Sequence, residues 1–370
     1  MILLTPGPTP TSEDIRLAMG APTIHHRTKE MEDIFASTRE LYLELVDMKE
    51  VVFFASSGSG AMDCAVSTFC QSKALVVNAG KFGERFTKIA THYDLAHKEM
   101  RYAWNESVSA EDIVTAIKND TAIDSVFIQM CESAGGVRHP VEEIAQKVKH
   151  LNKDITIVID GITAIGVEKI DTSCIDVLIG GSQKAFMLPP GLSMLSLSEH
   201  AVNKMKDIPS KSFYFDLNKE LKTQQKNTTA YTPASSLIIG LEATLQKMKQ
   251  IGYGEIYKQT SILALATRSS LGAIGLEIFP KSPALAMTTI THPRAGEIIK
   301  LAKAKYQVHF AGGQDHLSGN IFRINHMGIA IVSELAFALS AVELILEELG
   351  IRAFDGRAGC VFYEQAKECF

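Results

Sequence analysis

Segments with the pattern of strands and segments with the pattern of helices alternate through the first half of the chain. Strands are predicted at residues 51–54, 74–77, 98–103, 125–129, 155–159, 177–179 and 192–197. Short runs rich in Val, Ile and Leu are typical of buried strands. Helices are predicted at 30–46, 61–72, 81–92 and 140–151, with a further helix beginning at Ser109. This alternation predicts an α/β fold in which helices cover a mostly parallel sheet.

The second half has a different organisation. Residues 210–232 are polar and predict an irregular segment. Helices are then predicted at 235–250, 255–271, 296–305 and 332–349, and strands at 288–291, 307–310 and 320–325. This pattern is typical of a smaller α+β domain.

These patterns predict three parts of the chain. Residues 1–20 form an N-terminal arm, because the proline-rich stretch Thr5–Pro10 can be neither helix nor central strand. Residues 21–254 form a large domain. Residues 255–370 form the small C-terminal domain, together with the helix that links it to the rest.

Composition and charge argue against several classes of function. The net charge is −5 and no basic run marks a nucleic-acid surface. No uncharged apolar stretch is long enough to span a membrane, and the N-terminus lacks the features of a signal peptide. The six cysteines contain no Cys-x-x-Cys pair, and the adjacent residues His25 and His26 are expected to point to different faces, so we predict no metal site. We expect a cytoplasmic protein with reduced thiols that binds neither nucleic acid nor membrane.

A lysine follows the predicted strand at 177–179. The sequence continues as Gly180-Gly-Ser-Gln-Lys184, and Pro189-Pro-Gly191 then forces a turn. The ammonium group of lysine normally stays in water. A partly desolvated lysine has a lowered pKa and becomes a nucleophile that can form Schiff bases. Taken alone, this segment supports a reactive lysine and an ordinary surface lysine equally well.

A Ser/Gly turn, Ser56–Gly60, follows the predicted strand at 51–54 and leads into a helix. The free amides and the dipole of a helix N-terminus attract anions. A dinucleotide fingerprint would need a further glycine where Asp63 stands, and a P-loop would need a lysine. We therefore predict a site for a monophosphate and disfavour a nicotinamide dehydrogenase.

Ser59, Asp160 and Lys184 each come after a predicted strand. Ligands of open α/β sheets bind beyond the carboxyl ends of the strands, so this shared position favours a functional Lys184. An aspartate after a strand is more often a turn residue or a helix cap. Pyridoxal phosphate nevertheless requires a reactive lysine, an acidic side chain and a phosphate-binding site, and the sequence offers all three.

Several motifs in a fixed order carry a resemblance that covers nearly the whole chain. They are Thr5-Pro-Gly-Pro8, Ser57-Gly-Ser-Gly60, Glu132-Ser-Ala-Gly-Gly136, Asp160-Gly-Ile-Thr163, Gly181-Ser-Gln-Lys184 with Pro189-Pro-Gly191, Tyr231-Thr-Pro233 and Arg323. In this set the chain resembles the class V aminotransferases of fold type I, near the serine–pyruvate/alanine–glyoxylate transaminase group. That resemblance implies a large domain with a mostly parallel sheet, a smaller C-terminal domain and pyridoxal phosphate as cofactor.

The resemblance also implies a role for each matching residue. Lys184 would hold the cofactor covalently and move the substrate Cα proton, and Asp160 would pair with the pyridine nitrogen. The other cofactor contacts would be Ser59, Gly60, Ala61 and Gln183 at the phosphate, Phe82 on the ring, Ser133 at the ring hydroxyl, Ile162, and Tyr231 with Thr232 at the phosphate of the neighbouring subunit. Arg323 and Gly7 would bind the substrate, with the arginine fork on its carboxylate.

The implied activity is a ping-pong, Schiff-base transamination. It would move an amino group between a small amino acid (alanine or serine) and a 2-oxo acid (glyoxylate or pyruvate), in a homodimer with sites at the subunit interface. A phosphonate-amine transaminase, a cysteine desulfurase and a catalytically silent binding protein are the alternatives. No cysteine lies between Cys174 and Cys360, where a desulfurase needs its nucleophile, and the presence of both Lys184 and Asp160 argues against a silent protein.

Overall fold

The computed structural model describes residues 1–328 and 332–369. The strands are β1 (Ile2–Leu3), β2 (Glu50–Phe54), β3 (Lys73–Asn78), β4 (His97–Arg101), β5 (Ile123–Gln129), β6 (Cys131–Glu132), β7 (Val137–Arg138), β8 (Thr156–Asp160), β9 (Val177–Gly181), β10 (Ser193–Leu197), β11 (Glu277–Ile278), β12 (Met287–Thr291), β13 (Val308–His309), β14 (Ala311–Gly312) and β15 (Ile321–Asn325). The helices are α1 (Glu13–Met19), α2 (Lys29–Val46), α3 (Gly58–Phe69), α4 (Lys81–His92), α5 (Ala110–Lys118), α6 (Val141–Leu151), α7 (Glu199–Met205), α8 (Leu217–Gln224), α9 (Ser235–Ile251), α10 (Tyr253–Ala273), α11 (Ala295–Tyr306), α12 (Val332–Glu348) and α13 (Arg357–Ala366).

Seven strands form the central sheet, in the spatial order β2-β10-β9-β8-β5-β3-β4. The pairs β3–β4, β3–β5, β5–β8 and β8–β9 are parallel. β10 runs antiparallel to both of its neighbours, β9 and β2. β2 therefore points the same way as the parallel strands, and its carboxyl end lies at the same edge. The predicted α/β fold with a mostly parallel sheet is confirmed.

Alternate side chains of this sheet pack into two separate apolar layers, as the two-residue period of a strand requires. In β5, Val126 and Ile128 belong to the layer that includes α1, α2, α5, α6 and α9. Phe127, between them, belongs to the layer that includes α3, α4, α7 and α8. Because both faces are buried, a slip of one residue would move each of these side chains into the wrong layer.

A third apolar core joins α10, α11, α12 and α13 to β12 and β15. Leu4 of the N-terminal arm also belongs to this core, because β1 pairs in parallel with β13. The arm is therefore tied to the C-terminal part of the chain. The three-part division at residues 20 and 254 stays a prediction.

Two parts of the sequence-based prediction are wrong. The segment 210–232 is not wholly irregular, because it contains α8. The side chain of Asp216 accepts from the Lys219 amide and caps this helix, and Leu217 and Leu221 are buried against the sheet. Helix α3 begins at Gly58 and not at Ala61, so the predicted Ser/Gly turn supplies the first turn of the helix itself.

Candidate active site

Six chain segments enclose a cavity of ≈ 280 Å³ at the carboxyl edge of the central sheet. They are the N-terminal arm, the starts of α3 and α4, the segment after β5, the end of β8 and the connection from β9 to β10. The predicted site residues that line the cavity are Gly7, Ser59, Phe82, Ser133, Asp160, Ile162, Gln183 and Lys184. Residues without a predicted role also line it: Pro8, Ser57, Gly58, Arg85, Thr163 and Pro190. The size is close to the lower end of small-molecule pockets, which begin at about 300 Å³.

Lys184 lies in the connection between β9 and β10 and is only 8% exposed. Its Nζ donates to the carbonyl of Pro6, and its own carbonyl accepts from Thr9 Oγ1 at 2.6 Å. Gly7 passes so close that a Cβ there would lie 2.8 Å from Nζ. Burial lowers the pKa of the Lys184 amine to about 8, aided by the charge of Arg323. An amine of this kind is available as a nucleophile and a base near neutral pH.

Asp160 is the last residue of β8, and its carboxylate faces the same cavity. One carboxylate oxygen accepts from the Ile162 amide at 3.0 Å. Burial raises the pKa of Asp160 to about 6, while this amide and the charges of Lys184 and Arg85 act in the opposite direction. The result is a buried acid that stays mostly ionised at neutral pH and can stabilise a buried positive charge.

The first turn of α3 forms one end of the cavity. Ser57 is the N-cap residue, but its side chain accepts no hydrogen bond from the helix amides. The start of the helix is therefore open to a ligand. A Cβ at Gly58 would overlap the Ile162 side chain, which explains the glycine at this position. The Gly60 amide donates to the Ser57 carbonyl at 2.8 Å and Ala61 is fully buried, and neither residue lines the cavity. Of the predicted phosphate contacts, the structure brings Ser59 and Gln183 to the cavity wall.

Known proteins resemble the chain over nearly its whole length. A family profile described as Aminotransferase class-V matches residues 15–298. An uncharacterized aminotransferase of Helicobacter pylori is 45% identical over 99% of both chains. The chain belongs to the class V aminotransferase family.

Two further comparisons agree with this family. A serine–glyoxylate aminotransferase of Hyphomicrobium methylovorum is 28% identical over 94% of this chain and 90% of that one. The solved aspartate aminotransferase of subgroup IV from Thermus thermophilus matches with a TM-score of 0.87 and 27% identity, over 94% of this chain and 99% of that one. This class V aminotransferase is therefore a transaminase with the architecture of fold type I.

Membership of the family implies pyridoxal phosphate, and the residues around the cavity fit this cofactor. A buried amine and a buried acid share the cavity with the N-terminus of a helix. Gln183 adds a buried Oε1 that accepts no hydrogen bond from any residue of 1–328 or 332–369. An orphaned buried polar atom on a residue of the cavity lining favours a polar ligand in the cavity. The role of each residue toward the cofactor stays a prediction.

Arg323 of this aminotransferase lies on β15 and is 9% exposed, but it does not line the cavity. Its Nη1 donates to the Ser133 carbonyl at 2.6 Å, and its Nη2 donates to the Gly312 carbonyl at 2.6 Å. Within the described ranges no carboxylate pairs with it. The guanidinium is therefore held by neutral acceptors, next to the loop that carries Ser133.

Tyr231 and Thr232 lie away from the cavity, in a surface segment packed on α8. The Tyr231 hydroxyl donates to the Phe213 carbonyl at 2.7 Å, and its ring stacks on Tyr214 with centres 5.3 Å apart. These two residues do not contact the cavity of their own chain. The prediction that they reach a neighbouring subunit stays a prediction.

Glu132 has no predicted role, although it begins the motif Glu132-Ser-Ala-Gly-Gly136. The carboxylate is fully buried and accepts from the amides of Phe82, Gly83 and Ala134 at 2.9–3.0 Å. Burial raises the pKa of Glu132 to about 7, while these amides favour the ionised form. Glu132 thereby fixes the start of α4, where Phe82 faces the cavity. A charged residue directly after an apolar strand was the available signal.

Residues 1–328 and 332–369 contain neither a candidate metal-binding cluster nor a candidate membrane-spanning helix. The described residues contain no group of three or more His, Cys, Asp or Glu side chains that could hold a metal ion. Within the same ranges, no helix has both the length and the apolar character needed to cross a membrane.

Proposed function

We propose that this aminotransferase uses pyridoxal phosphate to move an amino group between alanine or serine and glyoxylate or pyruvate. The observation that carries the proposal is the Lys184 amine, which is buried in one cavity with the Asp160 carboxylate and has a pKa lowered to about 8. When bound, pyridoxal phosphate supplies an electrophilic carbon for amines and a ring that accepts electrons from the substrate.

Lys184 has two tasks in this proposal. Its Nζ would hold the cofactor covalently, and as a free amine it would take the proton from the substrate Cα. A pKa near 8 suits both tasks, because the amine is neutral in a useful fraction of molecules at neutral pH. The Pro6 carbonyl and the close passage of Gly7 orient the side chain toward the cavity.

Asp160 supplies the negative charge that keeps the ring nitrogen of the bound cofactor protonated. Its carboxylate is buried, so its attraction for a nearby cation is stronger than it would be in water. The hydrogen bond from the Ile162 amide holds one oxygen in place and leaves the other free for the ring. Ser133, Ile162 and Phe82 line the same space, and in this proposal the Phe82 ring would stack on the cofactor.

Arg323 binds the substrate carboxylate in this proposal, and it must exchange partners to do so. Its present acceptors are the neutral carbonyls of Ser133 and Gly312. A carboxylate makes shorter and stronger hydrogen bonds with guanidinium than a carbonyl does, so the exchange is favourable. Gly7 lines the cavity beside the Lys184 side chain, and in this proposal it borders the substrate.

Two observations support the choice of substrates and the homodimer. A relative is named serine–glyoxylate aminotransferase, which supports a small donor and glyoxylate as acceptor. Phe213 is 81% exposed, and it lies with Tyr214 and Tyr231 in one surface cluster of aromatic rings. Exposed aromatic patches mark interaction surfaces, so this cluster supports a subunit contact near the segment that contains Thr232.

A spectral screen tests the proposal. Each amino acid is added to the cofactor-loaded protein, and the loss of the visible absorption band of the cofactor is followed. Alanine or serine should react fastest, and glyoxylate or pyruvate should restore the band. The Lys184→Ala variant, given the same mixture, is the control. A protein that takes up no pyridoxal phosphate would overturn the proposal, and a reaction limited to phosphonate amines would favour the phosphonate transaminase.

A further inference from the structure

Arg85 is a half-buried arginine in the cavity wall, beside the first turn of α3. Its Nη1 donates to Ser59 Oγ at 2.9 Å. Its guanidinium carbon lies 4.8 Å from the centre of the Phe82 ring, at a distance typical of a cation–π contact. Two contacts therefore hold this cation at the cavity wall, on the side where α3 begins.

Arg85 has no carboxylate of its own among the side chains that line the cavity. The charged side chains of the lining are Arg85, Asp160 and Lys184. In the proposed function Asp160 and Lys184 both act on the cofactor ring, so Arg85 has only the charge of Asp160 acting on it beyond ion-pair distance. No carboxylate among the described residues forms an ion pair with it. A partly desolvated charge is costly unless an opposite charge accompanies it, so a ligand anion is expected.

We infer that Arg85 is the counter-ion of the cofactor phosphate, an assignment that rests on the proposed use of pyridoxal phosphate. The residue that Arg85 binds, Ser59, lies in the first turn of α3, where the helix dipole attracts anions. The planar fork of arginine matches phosphate oxygens and makes charge-assisted hydrogen bonds to them. Arg85 and the α3 N-terminus would thus both act on one phosphate.

The position of Arg85 distinguishes this assignment from a second role in substrate binding. A cation for an acidic substrate side chain would belong near Arg323, which serves the substrate carboxylate in the proposed function. Arg323 instead contacts the segments of Ser133 and Gly312. Arg85 contacts Ser59 and Phe82, both placed against the cofactor. An acidic substrate therefore stands as the competing outcome of the test.

The test compares two ligands that differ only in the phosphate group. Affinities for pyridoxal phosphate and for pyridoxal are measured by absorbance titration of the full chain, in the wild type and in Arg85→Gln, Arg85→Lys and Arg101→Gln. Arg101 is a suitable control because its side chain is 78% exposed and pairs with Glu99. Circular dichroism verifies that each variant is folded. Inorganic phosphate, added as a competitor, reports on the same site without the ring.

Arg85→Gln should bind pyridoxal phosphate about 10- to 100-fold more weakly, because hydrogen bonds to a charged group are lost. Pyridoxal binding should change less than about threefold, phosphate should compete less well, and Arg85→Lys should restore much of the affinity. An equal loss for both ligands would overturn the inference, since it would mean a structural role. Unchanged cofactor affinity with a raised KM for acidic substrates would also overturn it. A wild type that binds no pyridoxal phosphate would instead overturn the proposed function itself.

Discussion

The residues proposed to hold the cofactor and the arginine proposed to hold the substrate carboxylate differ in how their side chains are held. Asp160 ends β8, Lys184 follows the neighbouring strand β9 by three residues, and both side chains already line the cavity. On the side of the C-terminal part, Arg323 is equally buried but its fork is turned onto the carbonyls of Ser133 and Gly312. In the proposed function, the residues that would hold the cofactor are therefore already in place, whereas Arg323 would have to exchange hydrogen bonds when a substrate carboxylate arrives.

This difference follows from the architecture. Side chains at the carboxyl ends of adjacent parallel strands keep their spacing because the sheet ladder fixes it. Arg323 belongs to a separate four-stranded sheet, and its contact with Ser133 joins that sheet to the connection between β6 and β7. Variants on the cofactor side should therefore affect chemistry, and variants on the carboxylate side should affect substrate affinity.

Lys184→Ala should have the largest effect. It removes both the covalent anchor and the base, and we expect the turnover number to fall by about 10⁴-fold. The measurement is oxo acid formed from alanine or serine. Lys29→Ala is the matched control, because Lys29 is exposed and paired with Asp33. A variant with substantial residual turnover would show that another group moves the proton.

Asp160→Asn comes next. The amide has the same shape but no charge, so the cofactor should still bind while turnover falls by about 10²- to 10³-fold. Cofactor content from absorbance and turnover from oxo acid release separate the two effects. Full activity in this variant would mean that Asp160 does not act on the ring nitrogen.

The pH dependence of stability should reveal the buried amine. Lys184 has a pKa of about 8 in the folded chain and 10.5 as the ordinary value, so between these limits the unfolded chain binds more protons. The free energy of unfolding of the cofactor-free protein should therefore rise with pH across this window, by about 3 kcal/mol. Lys184→Met should lack this rise in denaturant titrations from pH 7 to 10.5. If the free energy of unfolding depended on pH in the same way in both proteins, the pKa of Lys184 in the folded chain would be that of an ordinary lysine.

Arg323→Lys should have the smallest effect on turnover among these variants and the clearest effect on affinity. A lysine keeps the charge but loses the fork, so the KM for amino acids and oxo acids should rise about tenfold or more. Titration with pyridoxal phosphate serves as the control and should give the wild-type affinity. An unchanged KM for every substrate tested would exclude Arg323 as the carboxylate clamp and remove the contrast between the two sides.

Much of the fold could be predicted from the sequence, because it depends on local periodicity. The strands before Asp160 and Lys184 are short apolar runs, and their carboxyl ends meet at one edge in any such sheet. Helix α8 was missed because its buried positions, Leu217 and Leu221, are few among polar residues. Its cap at Asp216 was the available signal.

The parts of the site that could not be predicted depend on contacts between distant segments. Arg323 of β15 donates a hydrogen bond to the carbonyl of Ser133. The two residues are far apart in sequence, so no local pattern could predict this contact. Arg85 follows Phe82 by three positions in one helix, which places both on one face. Its contact with Ser59, however, depends on how α3 and α4 pack.

The central claim is that pyridoxal phosphate attaches to Lys184. Borohydride makes a covalent link between this cofactor and a lysine irreversible, and mass spectrometry of the digested protein then locates the modified residue. We predict one modified peptide, the one that contains Lys184, and its absence in Lys184→Ala. Modification of a different lysine, or a wild-type chain that stays unmodified after incubation with the cofactor, would contradict the claim.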